Sequence, residues 1–149
     1  MDGVDVRDMT QKELRDKLGY VPQKGVLFSG TIDSNIRYGK PEITDAQVKE
    51  AAEVAQATEF IDTKPEKYES PVSQGGTNVS GGQKQRLSIA RAIAKDPEIF
   101  IFDDSFSALD FKTDSQLRKA LKEYTKDATT VIVAQRISTI PVSYTHLRA

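Results

Sequence analysis

Three short apolar segments, each followed within two residues by a polar side chain, constrain the fold of this chain more than any other feature. They span residues 18–21, 99–102 and 129–134, and segments with helical patterns lie between them. Strands that alternate with helices predict a parallel sheet of the α/β class. Ligands of such sheets bind beyond the carboxyl ends of the strands. The residues at those ends, and therefore the first candidates for a site, are Gln23, Asp103, Asp104 and Gln135.

Helix-capping patterns locate the helical segments between these strands. A capping box that begins at Thr44, followed by apolar residues at helical spacing, predicts a helix over about residues 45–57. Ser80 is a suitable N-cap for a second helix over residues 82–95. A third helix has Leu117 among the apolar residues of one face. These helices are the connections that a parallel sheet requires.

Two further segments have less regular patterns. The opening turn at Asp2-Gly3, followed by Val4 and Val6, is typical of a hairpin, so we expect the chain to begin inside a domain. Residues 25–40 are glycine-punctuated and apolar, which predicts a surface loop that meets a partner. The alternative is a loop packed on its own core. The apolar residues concerned are Val26, Leu27, Phe28, Ile32, Ile36 and Tyr38.

Composition excludes several classes of function. The chain has 149 residues, enough for one domain, and a net charge of -1 without a basic stripe, which argues against nucleic-acid binding. It contains no apolar run of about 18 residues and no signal segment, so we expect that it neither spans a membrane nor is secreted. The lack of cysteine excludes disulfide scaffolds, and His146, the single histidine, leaves little scope for a histidine metal site.

The most specific segment consists of Val79, Ser80, Gly81, Gly82 and Gln83. Two glycines here begin a helix whose first amide groups have no partner within the helix. Backbone N–H groups, the helix dipole and the Ser80 hydroxyl together suit a phosphate, and glycine permits its close approach. The alternative is an ordinary helix cap without a ligand. The segment alone favours that alternative.

The order of the motifs changes this interpretation, because it resembles that of ABC ATPases. Residues 79–83 resemble the signature motif of that family, residues 99–104 its Walker B strand, and residues 107–110 its D-loop. Gln23 matches the glutamine of the Q-loop, and Gln135 stands where the family has its switch histidine. The resemblance covers about residues 2–140, and the ordered set is far more specific than any single motif.

This resemblance implies a particular domain organisation. We expect a partial P-loop NTPase-like, RecA-like parallel sheet, with an inserted helical subdomain over about residues 25–95 that carries the signature motif. Residues 1–140 would then be an ABC ATP-binding domain truncated at its N-terminus, because no Gly-x-x-x-x-Gly-Lys-Ser/Thr loop occurs in the sequence. Residues 141–149 do not resemble the family and are interpreted as a foreign or artefactual tail.

The resemblance also implies roles for the residues at the strand ends. Asp103 would bind Mg²⁺ directly or through water, and Gln23 would help hold the metal and sense the γ-phosphate of ATP. Asp104 stands where the family has a glutamate as general base, and it is one methylene shorter. Gln135 can form hydrogen bonds but cannot carry the positive charge of a histidine. We therefore expect impaired hydrolysis; the alternative is a slow but competent homodimer.

The partners implied by the resemblance are a second cassette and a transmembrane domain. Two cassettes of the family pack head to tail, so residues 79–83 would complete the partner's ATP site, and Asp110 would lie at the seam of what we expect to be a heterodimer. The segment from Val26 to Gly39 would contact the transmembrane domain at the cytoplasmic face of the membrane. An exporter ATPase is thus the favoured function. The alternatives are a soluble non-transport ABC ATPase and a noncatalytic regulatory cassette.

Overall fold

The computed structural model describes residues 1–135, in which strands and helices alternate along the chain. The strands are β1 (Leu18–Val21), β2 (Gly30–Thr31), β3 (Pro71–Val72), β4 (Ile99–Asp103) and β5 (Thr129–Val133). The helices are α1 (Gln11–Asp16), α2 (Ile32–Ile36), α3 (Asp45–Val54), α4 (Thr58–Asp62), α5 (Gly81–Ala94) and α6 (Phe111–Tyr124). Short 3-10 helices occupy Val6–Asp8, Lys67–Glu69 and Gln74–Gly76. The expectations for residues 141–149 and His146 lie outside the described residues.

The central element is a three-stranded sheet with the order β1-β4-β5, in which both pairings are parallel. Val21 is paired with Phe102, and Asp103 with Val133, so all three strands end at one edge. The predicted α/β class and its parallel sheet are therefore confirmed. A second sheet consists only of the antiparallel pair β2 and β3.

The core lies between one face of the parallel sheet and the helices. Phe100 and Phe102 point into it and stack with ring centroids 6.0 Å apart. Helix α5 crosses this core and buries Leu87, Ile89 and Ile93 completely. Full burial of one such side chain stabilises the fold by about 1.5–3 kcal/mol, so α5 is anchored by its apolar face rather than by its cap alone.

The opposite face of the sheet is more open, although an uninterrupted apolar segment such as residues 99–102 is typical of a strand buried on both faces. Ile99 and Ile101 are only half-buried. The register places Tyr20, Ile101 and Val131 side by side on this face, and Tyr20 and Val131 are 55% and 45% exposed. In a strand, alternate residues face opposite sides of the sheet, so only every second residue of β4 reaches the core.

Two expectations are corrected. The segment with Val4 and Val6 forms a turn and a 3-10 helix instead of a hairpin, because Asp5 accepts a hydrogen bond from the Arg7 N–H and caps that helix. Residues 25–40 contain β2 and α2 and are not simply a loop. The apolar residues of this segment differ in burial. Leu27, Ile32 and Ile36 are buried, whereas Val26, Phe28 and Tyr38 are exposed. In residues 1–135 no helix is both long and apolar enough to cross a membrane.

Candidate functional site

Polar side chains meet at the carboxyl edge of the parallel sheet, as the sequence predicts. The Gln23 side-chain amide, just beyond β1, donates a hydrogen bond to Oδ2 of Asp104 at 3.2 Å. Asp104 follows β4 directly and is 5% exposed. Gln135 lies two residues beyond the end of β5, and it is exposed. The structure thus brings Gln23 and Asp104 into contact and places Gln135 beyond the neighbouring strand.

Asp104 adopts an uncommon backbone conformation that several contacts hold in place. Its φ angle is 45°, in the left-handed region, which few residues other than glycine occupy. The Asp104 N–H donates to the Val133 carbonyl at 2.8 Å, and the Ser107 hydroxyl donates to the Asp104 carbonyl at 3.2 Å. Such conformations persist where surrounding contacts fix them, and they cluster at functional sites. The Asp104 carboxylate is therefore buried, oriented and backed by a rigid strand end.

Asp103 lies on the other side of the same strand end and has a different partner. The Tyr20 hydroxyl donates to Oδ2 of Asp103 at 3.2 Å, and this bond raises the pKa of Tyr20 above its ordinary value. Sequence reasoning missed Tyr20. The signal that finds it is strand register: Tyr20 pairs with Ile101, and Asp103 is the next residue of β4 on that face.

The predicted N-cap at Ser80 is confirmed: helix α5 (Gly81–Ala94), called the signature helix below, begins there with a regular capping box. Ser80 Oγ accepts from the Gln83 N–H at 3.2 Å, while Gln83 Oε1 accepts from the Ser80 N–H at 3.1 Å. A hydroxyl that accepts one hydrogen bond still has its own proton to donate. A side-chain carbon placed on Gly81 would meet nothing within 4 Å, so the space beside this helix end is open. The cap and an approaching phosphate are compatible.

The segment after Asp104 lies against this helix start. A carbon added to Gly82 would come within 3.3 Å of the Ala108 carbonyl, so a larger side chain would press on that loop. Asp110 caps α6 by accepting from the Thr113 N–H and hydroxyl at 2.9 and 2.7 Å, contacts that lower the pKa of its carboxyl. Asp110 is exposed, which leaves it available at the surface.

One buried side chain connects the signature helix to the strand-end site. Gln85 is 1% exposed, and its amide donates to the Pro22 carbonyl at 3.1 Å. Pro22 immediately precedes Gln23, so helix α5 contacts the segment that positions the Asp104 partner. Sequence analysis missed this contact because the two residues are 63 positions apart.

The donor set at the strand ends fits Mg²⁺ together with a phosphate ligand. Residues 1–135 contain no cluster of three or more histidine, cysteine or acidic side chains that could enclose an ion. Mg²⁺ is commonly held by one or two carboxylates, with phosphate and water as the remaining ligands. Asp103 is half-buried at the sheet edge and provides such a carboxylate. Neutral Tyr20 and Gln23 beside the two aspartates bring no competing positive charge.

A second functional candidate is the surface formed by residues 26–39. Phe28 and Tyr38 stack there with centroids 4.2 Å apart. The Arg91 guanidinium lies 5.3 Å from the Phe28 ring and 5.4 Å from the Tyr38 ring, and burial lowers its pKa. Arg91 also donates to the Val26 and Asn35 carbonyls at 2.9 and 2.8 Å. These contacts hold an exposed aromatic pair in a fixed position.

Comparisons with known proteins agree with the motif assignment. Residues 1–107 match the model of a family described as "ABC transporter". Over 140 residues the chain is 45% identical to an uncharacterized ABC transporter ATP-binding protein, y4gM, of Sinorhizobium fredii, covering 94% of the chain and 24% of that protein. It is 46% identical over 140 residues to a Bacillus subtilis protein provisionally named multidrug export ATP-binding/permease protein YgaD, with the same coverage.

A solved structure extends the similarity from sequence to fold. A bacterial Atm1-family ABC exporter with ATP bound matches with a TM-score of 0.88 and 40% identity, covering 93% of this chain and 24% of that chain. The chain thus spans about a quarter of the length of these relatives.

Proposed function

Because this chain belongs to the ABC transporter family, we propose that it is part of the ATP-binding and ATP-hydrolysing subunit of an ABC exporter. The observation that carries the proposal is the strand-end arrangement, in which Asp103 and Asp104 are adjacent and Gln23 donates to Asp104 at 3.2 Å. The similarity to exporter proteins over most of the chain supports the same function. Residues 1–140 would form the ATP-binding domain, its helical subdomain spanning about residues 25–95, and residues 141–149 would lie outside it.

The chemistry assigns a separate role to each strand-end residue. Asp103 would hold Mg²⁺ directly or through water, and bound Mg²⁺ would neutralise charge on the phosphates of ATP. Asp104 would accept a proton from the attacking water as general base. Gln23 donates to the Asp104 carboxylate, and it would also help hold the metal and sense the γ-phosphate. Gln135 would contact the γ-phosphate from beyond the neighbouring strand. All four residues belong to the site on this subunit.

We infer that hydrolysis at this site is impaired. Aspartate is one methylene shorter than glutamate, and Asp104 is buried and already engaged with Gln23, so its reach toward a water is restricted. Gln135 cannot become positively charged. The second cassette would then be a different chain whose own site retains full activity. The open helix end at Ser80, Gly81 and Gly82, together with Val79 and Gln83, would complete that partner's ATP site, with Asp110 at the seam.

The surface of residues 26–39 would receive the transmembrane domain. Its exposed aromatic residues, Phe28 and Tyr38, provide apolar contact area, and the Arg91 guanidinium packs against both rings. A rigid aromatic surface binds with less loss of conformational entropy than a flexible one. This contact would hold the cassette at the cytoplasmic face of the cell membrane. The net charge of -1 supports a protein partner rather than nucleic acid.

A noncatalytic regulatory cassette is the second candidate, and the Asp104–Gln23 hydrogen bond favours it, because a base engaged with an amide is less available to a water. Turnover distinguishes the two functions. The complete subunit is purified with its partner cassette in lipid, and ATP hydrolysis and substrate transport are measured. Hydrolysis that requires Ser80 of this chain supports the proposal. ATP binding without turnover in every assembled pair would contradict it and favour the regulatory cassette.

A further inference from the structure

We propose that Tyr20 is a positioning residue that fixes the Asp103 carboxylate for metal binding. The contact is a single hydrogen bond, from the Tyr20 hydroxyl to Oδ2 of Asp103 at 3.2 Å. No motif in the sequence marks Tyr20. It lies 83 residues before Asp103, so the sequence alone does not predict that the two residues are in contact. The inference rests on the proposed function, because it takes Asp103 as the metal ligand.

The sheet makes this contact a consequence of register. Tyr20 pairs with Ile101 in the parallel ladder between β1 and β4, and Asp103 lies two residues further along β4. Residues two apart in a strand point to the same face, and a diagonal neighbour on the adjacent strand is within reach of a tyrosine side chain. Both ends of the contact are therefore fixed by strand backbone, which positions a side chain better than a loop does.

The hydrogen bond determines how the carboxylate is presented. A carboxylate has two oxygens with about four lone-pair sites, so a bond to Oδ2 leaves Oδ1 and further lone pairs for a metal or its water. Rotation about the side-chain bond is restricted once Oδ2 is held. Partners that orient a ligand in this way typically change metal affinity by 10–100-fold when they are removed.

The neighbouring carboxylate shows the same arrangement with a different donor. Gln23 donates to Asp104 as Tyr20 donates to Asp103, and both donors come from β1 or the two residues after it. Both are neutral groups. An arginine or lysine in either position would neutralise the carboxylate and weaken its attraction for Mg²⁺, whereas a neutral donor orients the carboxylate without that loss. Strand β1 and the two residues after it thus orient two adjacent acids separately.

The test uses the complete subunit assembled with its partner cassette, with a non-hydrolysable ATP analogue and Mn²⁺ as the probe for the metal site. Electron paramagnetic resonance reports bound Mn²⁺, and Asp103→Asn identifies the site that belongs to this subunit. Tyr20→Phe removes only the hydroxyl. Tyr124→Phe is the matched control, because it also removes one hydroxyl that bonds to an oxygen, here the Ile93 carbonyl at 3.4 Å. Tyr124 lies beside Ile99 and Thr129 at the amino ends of β4 and β5, away from the carboxyl ends that carry the site.

We expect Tyr20→Phe to weaken Mn²⁺ binding at this site by roughly tenfold. Its affinity for nucleotide in the absence of metal should be unchanged. Tyr124→Phe should bind Mn²⁺ with the same affinity as the unmodified protein. In turnover measured with the partner's site silenced, Tyr20→Phe should raise the Mg²⁺ concentration for half-maximal rate, while high Mg²⁺ restores the maximal rate. A purely structural role would lower the rate at every Mg²⁺ concentration.

Two contrary results are distinguishable. Unchanged Mn²⁺ affinity in Tyr20→Phe, at a site that Asp103→Asn abolishes, would overturn the role of Tyr20 and leave the proposed function intact. A rate reduced at saturating Mg²⁺ without a shift in half-saturation, or a variant that fails to assemble, would also overturn it in favour of a structural role. If Asp103→Asn left Mn²⁺ binding unchanged, the proposed metal site itself would be wrong, and the inference with it.

Discussion

The strand-end carboxylates and the signature helix start are built in opposite ways. The carboxylates of Asp103 and Asp104 accept hydrogen bonds from side chains 83 and 81 positions away in the sequence. The contacts at Ser80 come from Gln83, three residues further along one helix. The first region depends on the whole sheet, whereas the second depends on one turn of helix.

This difference predicts that substitutions in the two regions will change different measured properties. A change at the strand ends alters how two buried or half-buried acids are oriented, so its effect should appear in chemistry and metal binding. A change at Ser80 removes a cap with a known local contribution to stability. Only the additional effect of that change on hydrolysis, beyond the loss of the cap, reports contact with a ligand.

The largest effect is expected for Asp103→Asn, which tests the strand-end region. Because an amide carries no negative charge, Mg²⁺ affinity and turnover at this subunit's site should fall on the order of 100-fold or more. Asp127→Asn is the control, since it removes the charge of an exposed aspartate outside the candidate site. The measurement is ATP hydrolysis with the partner's site silenced. Equal rates of ATP hydrolysis in Asp103→Asn and in the control would contradict the proposal that Asp103 binds Mg²⁺.

The second-largest effect is expected for Ser80→Ala, and Thr44→Ala is its matched control. Both residues are N-caps of capping boxes, on α5 and α3, so both substitutions should lower the free energy of unfolding by about 1 kcal/mol. Only Ser80→Ala should also reduce hydrolysis at the partner's site, by roughly tenfold if a hydrogen bond to phosphate is lost. Urea unfolding and turnover separate the two effects. Equal turnover in both variants would make Ser80 a cap alone.

The comparison also explains how far the sequence alone could be interpreted. The capping box at Ser80 was predictable because all of its parts lie within four residues, and the strand ends were predictable because apolar segments stop there. The contacts of Tyr20 and Gln85 were not, because register and helix packing depend on the assembled fold. Residues 25–40 were partly misinterpreted for the same reason, since the burial of Leu27 and the exposure of Phe28 depend on how this segment packs in the assembled fold.

A gain of function is expected for Asp104→Glu, which tests the inferred impairment. The longer side chain would bring the base closer to a water, and hydrolysis at this site should rise about several-fold, which is below the 10²–10⁴-fold that a complete general base can contribute. The left-handed backbone at Asp104 opposes part of this gain, because aspartate tolerates positive φ better than most residues. Turnover is measured with the partner's site silenced, and Asp104→Asn is the control that should show no gain. An unchanged rate in Asp104→Glu would count against impairment by this residue.

The smallest effect is expected for Gln85→Met, which tests the link between the two regions. Methionine preserves the length and most of the volume of glutamine but removes the donor to the Pro22 carbonyl. Leaving that carbonyl unpaired should cost about 1–3 kcal/mol, partly offset by the better burial of methionine, so the net loss of unfolding free energy should be about 1 kcal/mol. Gln74→Met, at an exposed position, is the control and should change stability by less than about 0.5 kcal/mol.

Because the hydrogen bond from Gln85 ends one residue before Gln23, Gln85→Met should also lower turnover at this site more than its stability loss explains. Normal turnover in a destabilised variant would show that the signature helix supports the strand-end site through packing and not through this hydrogen bond.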